Sequence, residues 1–388
     1  WVPQILMNDG SINKGFGWDN EFDSQGEFVF AVMEYYRFTR DRVFLGSHMD
    51  AIIRALKCLA ALREQTIQPG YMAEQPAPER FAGILPKSIS HEGYNPPVHS
   101  HWDNLFALKG WKDGAEAARI LGKTDVAAWA DEQYRLLRKS VRRSMDKTVE
   151  YKKIDYVPAS ADYGDFDPTS TSIAFFPCEE ADLFDPQLLR QTWDRYYRDV
   201  DARCRSFTQG GYTPYEARNI TAFVELGRKD RAMELLSFLL EGRRPAAWNH
   251  VAEVVFSDPR RGSYLGDMPH TWCGSGFINA VRSMLLHESG KKLILLPGAP
   301  RTWLEGDGII LGDMPTYFGK IDLKACMKNR TLYVTIGGAA NPEGGFELHW
   351  PEQGTPAEVT VDSQPWTDFD ETGARLPNTA RTISAKWL

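Results

Sequence analysis

Leu121-Gly122-Lys123-Thr124-Asp125 ends one amphipathic run and opens another. Its glycine suits the left-handed residue that terminates a helix, and Thr124 or Asp125 can cap the next one. A turn of the same design, Leu226-Gly227-Arg228-Lys229-Asp230, recurs further along. Around these turns the apolar spacing is helical: Met49, Ile52, Ile53, Leu56 and Leu59 share a face, as do Val126, Ala130, Tyr134, Leu137 and Val141. The spacing predicts hairpins pairing 25–41 with 47–66, 102–121 with 125–145, 169–181 with 186–200 and 214–227 with 229–241, then a last helix over 272–288. After about residue 291 the period shortens to two, with Leu332, Val334, Ile336, then Phe346, Leu348, Trp350, then Val359 and Val361. The expected fold is mainly α: a helical toroid over 1–290, then a small antiparallel β-sandwich over 291–388 that braces it.

A chain of 388 residues, 43% hydrophobic and 25% charged, has ordinary globular composition and length for one large domain and a smaller one. A net charge of -7 without any basic run argues against nucleic acid and anionic membranes as partners. The five cysteines are scattered, odd in number and without zinc-type spacing, so neither a disulfide scaffold nor a metal site is expected. His99-Ser100-His101 is too weak a pattern to change that. No stretch approaches the roughly twenty apolar residues of a membrane span. The start, Trp1-Val2-Pro3-Gln4, has neither a Met nor a signal-peptide shape, so the chain reads as an excerpt. Its start does not reveal its compartment; an exported location ranks ahead of a cytoplasmic one.

The chemistry concentrates where the predicted inner helices begin. Trp18-Asp19-Asn20 and Trp102-Asp103-Asn104 each put an aromatic plate beside a carboxylate, as a pyranose requires of its binding site. Trp248-Asn249-His250-Val251-Ala252-Glu253 and Asp267-Met268-Pro269-His270-Thr271-Trp272 repeat the mixture in the long 242–270 loop. Glycosidic cleavage needs one carboxyl to protonate the leaving oxygen and another to activate water or attack the sugar. Glu253 is the foremost base, against the reading of a surface glutamate paired with Arg260 or Arg261. The acid lies among Asp19, Glu21, Glu92 and Asp103, and the crowded Asp19-Asn20-Glu21-Phe22-Asp23 would raise one pKa. Asp19 and Asp103 also suit plain helix capping. Trp18, Trp102, Trp248 and Trp272 are stacking platforms or core residues. Glu21, His91, His101, Tyr215, Glu216, Asp267 and His270 would bind hydroxyls at the same mouth. The expected partner is a carbohydrate, with no cofactor.

On these residues the chain resembles the six-hairpin, (α/α)6-barrel glycosidases, the superfamily of α-L-rhamnosidases, trehalases and glucoamylases. Val2-Pro3-Gln4 through Gly17-Trp18-Asp19, followed by Glu34-Tyr35-Tyr36-Arg37-Phe38-Thr39-Arg40-Asp41, is similar in order and spacing to a rhamnosidase stretch. There a Gly-Trp-Gly-Asp motif enters a helix that ends Tyr-Arg-Arg-Tyr-Gly-Asp. Gly211-Tyr212-Thr213-Pro214-Tyr215 resembles the same family's Gly-Thr-Pro-Tyr helix pair. Gly17-Trp18-Asp19-Asn20 is similar to the trehalase motif whose Asp is the general acid, and His101-Trp102-Asp103 to a Tyr-Trp-Asp sugar-binding motif. The resemblance implies an inverting glycoside hydrolase with Glu253 as general base. It also implies twelve helices where about nine are visible, so that a first hairpin, and the rhamnosidase acid with it, is expected upstream of Trp1. Phosphorolysis remains open beside hydrolysis.

Two other readings compete. A polysaccharide lyase on the same plan would use Tyr94, Tyr212 or Tyr215 with a His, and would need a cation in the cleft. A non-catalytic glycan-binding protein would lack the acid. Terpene cyclases lack support, since no Asp-Asp-x-x-Asp motif is present.

Overall fold

The computed structural model describes residues 6–12, 21–91, 93–243, 246–258, 260 and 268–388. It divides into two compact units, Trp1–Arg198 and Asp199–Leu388. The boundary expected at 290/291 falls inside the second unit, in the turn of a β-hairpin that directly follows the last helix.

The first unit is helical. Its hairpins are α1 (Ser24–Thr39) with α2 (Arg42–Thr66), and α3 (His101–Ile120) with α4 (Thr124–Lys152). Arg40 ends α1 in the left-handed conformation at φ 58°, and the Asp41 side chain caps α2 by accepting from Phe44 N at 2.8 Å. Gly122, at φ +74°, ends the third helix as its turn predicts. Neither Thr124 nor Asp125 caps α4 with its side chain: the cap position is Lys123, and Asp125 lies in the first turn, where its charge favours the helix dipole.

Met49, Ile52, Leu56 and Leu59 are buried as their spacing predicts, and Ile53 is half-buried at the edge of that face. Helix α3 is buried nearly all round, the mark of a central helix. Two glycines let α1 lie against it. A Cβ on Gly26 would fall 2.0 Å from the Phe106 carbonyl oxygen, and one on Gly110 would fall 2.9 Å from Gly26 Cα. Close packing brings charge inside: the Arg37 guanidinium meets Asp113 at 2.5 and 3.2 Å, and Lys109 lies 3.4 Å from the same carboxylate.

The helix predicted over 169–181 is absent. Its place is taken by the single turn α5 (Pro168–Thr171) and two short 3-10 turns, Ser172–Ala174 and Ala181–Leu183. Pro177 has no N–H to donate. Asp167, Ser170 and Ser172 spend their side chains on local hydrogen bonds that compete with a continuing helix. The division between the units falls within α6 (Pro186–Arg205).

In the second unit, β1 (Gly211–Tyr212) precedes a 3-10 turn at Pro214–Ala217, then α7 (Arg218–Glu225) and α8 (Lys229–Glu241). β2 (Val255–Phe256) returns to pair with β1. Helix α9 (Thr271–Leu285) ends before its predicted limit, because residues 286 onward form a hairpin of β3 (Leu286–Ser289) and β4 (Lys292–Leu295). Gly290, at φ +56°, makes that turn.

The remaining strands are β5 (Ile309–Thr316), β6 (Gly319–Lys328), β7 (Thr331–Gly338), β8 (Phe346–His349), β9 (Glu358–Val361), β10 (Gln364–Pro365), β11 (Gly373–Leu376) and β12 (Thr382–Lys386). They form a six-stranded antiparallel sheet ordered β10-β9-β12-β7-β6-β5 and a four-stranded sheet ordered β11-β8-β4-β3. The pairing of β4 with β8 is parallel, an exception to the expected antiparallel pattern. Leu332, Val334, Ile336, Phe346, Leu348, Trp350, Val359 and Val361 all point into one apolar core shared by the two sheets.

Candidate active site

Each unit gathers part of the predicted chemistry. In the first, Ser100 caps α3 and puts His101, Trp102 and Asp103 into its first turn. All three are buried. Trp102 Nε1 donates to Asp23 Oδ2 at 2.7 Å. Asp103 accepts from the Ser88 hydroxyl at one oxygen and from Ser90 Oγ, at 2.9 Å, on the other. Burial raises the Asp103 pKa well above the carboxylate range, and the neighbouring Asp23 and Glu21 charges push the same way against the two serines. Burial also raises Asp23, opposed by Trp102 and His91. Burial thus biases both carboxyls toward their protonated forms.

His91 stacks on Trp102 with ring centres 4.7 Å apart. Its Nδ1 lies 3.0 Å from Ser90 Oγ and its Nε2 3.0 Å from Ser170 Oγ, a polar chain that ends on Asp103. His101 makes no side-chain hydrogen bond at either ring nitrogen, and burial holds its pKa down to about 4. Its ring lines a small cavity of about 10 Å³ beside His91 and Trp102, close to the space of one water. His99 has ordinary partners, Tyr71 and Asp162, each at 2.8 Å. Among the described residues no group of three His, Cys, Asp or Glu side chains could hold a metal ion.

The second unit presents the more open arrangement. The β1–β2 pairing sets Gly211 opposite Phe256 and Tyr212 opposite Val255. Beyond it, Thr213 Oγ1 donates to the Glu253 carbonyl oxygen at 2.7 Å and caps the turn leading to Tyr215. Glu253 is thus tied to the start of the 3-10 turn that carries Tyr215 and leads into Arg218 at the head of α7. His270 caps α9 by accepting from Cys273 N at 3.2 Å, and its Nε2 lies 3.3 Å from Tyr215 Oη. The Tyr215 and Trp272 rings meet edge to face at 5.4 Å. Arg218 lies over both, at 4.8 and 5.3 Å from their centres. Burial pushes the Cys273 thiol up to about 12; it also feels the opposing charges of Arg218 and Glu253, which therefore lie close to it.

The structure thus brings Glu253, Tyr215, His270 and Trp272 together in one unit, and His91, Trp102, Asp103 and, through its charge, Glu21 in the other. Trp248 is exposed on a 3-10 turn. Glu216, expected at the sugar, is instead buried and gripped by Arg203 at 2.8 and 2.5 Å, because the helical turn that aims Tyr215 at His270 aims its neighbour inward. Trp18, Asp19, Glu92 and Asp267 lie outside the described residues. Sequence reading did not select Arg218, Thr213, Ser90 or Ser170. Arg218 had a usable signal, three residues after Tyr215 and so on the same helical face. The serines had none, since their partners come from distant segments.

No family model matches the chain, and no curated protein matches it in sequence. Solved structures do share its fold. An α-L-rhamnosidase from Dictyoglumus thermophilum matches 99% of this chain with a TM-score of 0.64 at 10% identity. A Streptomyces avermitilis α-L-rhamnosidase, solved with L-rhamnose, matches 99% with a TM-score of 0.57 at 11% identity. The chain spans 42% and 35% of those two proteins, so it is similar in fold to the part of each that it covers.

Proposed function

We propose that this chain is the catalytic portion of an inverting glycoside hydrolase, with the helical segment 1–290 as an (α/α)6-type toroid and 291–388 as its β-sandwich. The observation that carries the reading is the cluster around Glu253: a half-buried glutamate whose backbone carbonyl is tied through Thr213 to the turn carrying Tyr215, near His270, Trp272 and Arg218. An aromatic face, an amphoteric Tyr–His pair and a carboxylate are what an apolar sugar face, its hydroxyls and an attacking water each need. Fold likeness to two α-L-rhamnosidases supports a glycosidase and names the first substrate to try.

Glu253 acts as general base. Asp103 is sealed by serine hydroxyls and serves to organise the Asp23–Trp102–His91 group, leaving protonation of the leaving oxygen to Asp19, Glu21 or Glu92. The test is turnover of p-nitrophenyl α-L-rhamnopyranoside, with the first-formed anomer followed by NMR. Glu253→Gln should cut turnover by about a hundredfold or more while the fold and sugar binding persist; unchanged turnover removes Glu253 from the mechanism. Inversion requires carboxyls about 6.5–9.5 Å apart, and retention of configuration would contradict the reading.

One observation favours a second reading. Tyr215 and His270 are within hydrogen-bonding reach and Arg218 lies over the tyrosine, which is the base pair and cation that a polysaccharide lyase needs. Unsaturated products absorbing in the near ultraviolet from a uronic-acid polymer would select it.

A further inference from the structure

The second unit contains a polar groove that shares no lining residue with the Glu253 cluster. It has a volume of about 410 Å³, within the range of small-ligand sites, and lies between the end of α7 and one face of the four-stranded sheet. Strand alternation decides what that face offers. Leu286, Leu293, Leu295, Phe346 and Leu348 turn into the shared core, so the residues between them turn the other way. The register sets His287 opposite Ile294 and Ile294 opposite Glu347, with Ser289 opposite Lys292 in the next row. His349 follows two residues after Glu347 on the same face.

The charges on this wall are compensated within it. Lys292 Nζ lies 3.1 Å from one Glu347 oxygen and His349 Nε2 3.1 Å from the other. Lys291, at the rim, pairs with Glu343 at 2.7 Å. An anion entering the groove would meet cations that already have partners. An apolar ligand would leave the Ser289 hydroxyl and the imidazoles facing it without water. His287 Nδ1 is buried and makes no hydrogen bond of good geometry, with the Ser283 backbone near its ring. What remains is a wall of donors and acceptors of near-zero net charge, with the apolar Ile294, Val224 and Pro297 among them. A hydroxyl both donates and accepts, and a sugar ring adds a C–H face for the aliphatic side chains.

We propose that this groove is a second ligand site, specific for a neutral polyhydroxylated molecule the size of a monosaccharide. It would hold a sugar away from the Glu253 cluster, and its occupation would not require the chemistry proposed there.

The experiment titrates the intact chain with D-glucose, L-rhamnose and, as the anionic probe, sodium acetate, following the imidazole proton resonances by NMR. His287→Gln and His349→Gln assign the two signals. At least one of the two sugars should shift both signals along a single saturable curve, and acetate should not. Ser289→Trp, at an exposed position, places an indole in the groove without touching the core. It should weaken sugar binding by about tenfold or more while leaving any glycosidase turnover as it was. The proposal is overturned if neither sugar shifts the two signals, if acetate shifts them as strongly, or if Ser289→Trp leaves the curve unchanged.

Discussion

Around Asp103 both carboxylate oxygens are met by serine hydroxyls, the carboxylate is fully buried, and His91, joined to it through Ser90, is itself held by two serines. Around Glu253 the same ingredients, a carboxylate with a histidine and a tryptophan, remain half open: Trp272 is 43% exposed. The contrast comes from the supporting elements. Asp103 lies in the first turn of a helix that is buried nearly all round, whereas Glu253 lies at a bend in a loop, just before a two-residue strand pair and bonded through its backbone to Thr213. Burial raises the carboxyl pKa in the first cluster; partial exposure in the second leaves room for substrate and water.

The sharpest way to break the comparison is to change each carboxylate in turn. Glu253→Gln should reduce turnover by about a hundredfold to ten-thousandfold, the range for losing a general base, with an unaltered urea midpoint. A variant that instead lost stability would make Glu253 structural. Acid titration separates the clusters next. Burial lowers the His101 pKa to about 4, below the unfolded value near 6.5, so the unfolded chain binds the proton first. The His101 contribution to stability is therefore intact above about pH 6.5 and is lost as pH falls toward 4, by about 3 kcal/mol at most.

Asp23 and Asp103 run the opposite way, since raised carboxyl pKa values give stability at low pH that is lost as pH rises through them. His101→Leu should flatten the histidine part of the profile, measured as urea midpoints from pH 4 to 7. An unchanged slope would show that His101 is not the buried neutral group described.

Removing the acceptor itself has a smaller expected cost. Asp103→Ala leaves the Ser88 and Ser90 hydroxyls without their partner and should cost about 1–3 kcal/mol in denaturant unfolding. Asp103→Asn keeps the shape with a neutral side chain, so it should cost less than the alanine; the reverse order would mean that the native carboxyl is ionised. The smallest effect belongs to the open cluster. Trp272→Ala removes one ring of the Tyr215–Arg218–Trp272 stack and should raise KM about tenfold with little change in stability. An unchanged KM would mean that the exposed indole is no sugar platform.

Much of the helical framework was legible in the sequence. The faces Met49–Leu59 and Ala130–Val141 were read from spacing, and Gly122 and Gly227 marked hairpin turns where the backbone is in fact left-handed. The segment 169–181 misled because its apolar residues have helical spacing, while Pro177 and the hydroxyl side chains decide against a helix. The end of α9 misled for another reason. Leu286–Ser289 continues the helical pattern locally, but pairing with β4 outweighs that preference.

Residue types and their order along the chain were enough to name Asp103, Glu253, Tyr215, His270 and Trp272 as chemistry-bearing, and to separate helices from strands. Those properties are local, set by side-chain period and turn chemistry within a few residues. The fate of each polar group was decided by tertiary structure alone. Ser88 and Ser90 closing on Asp103, Arg203 capturing Glu216, and Arg218 lying over both Tyr215 and Trp272 depend on contacts between separate segments. Whether a carboxylate binds solvent, a proton or a neighbouring cation depends on the dielectric and partners around it, and no single stretch of chain specifies those.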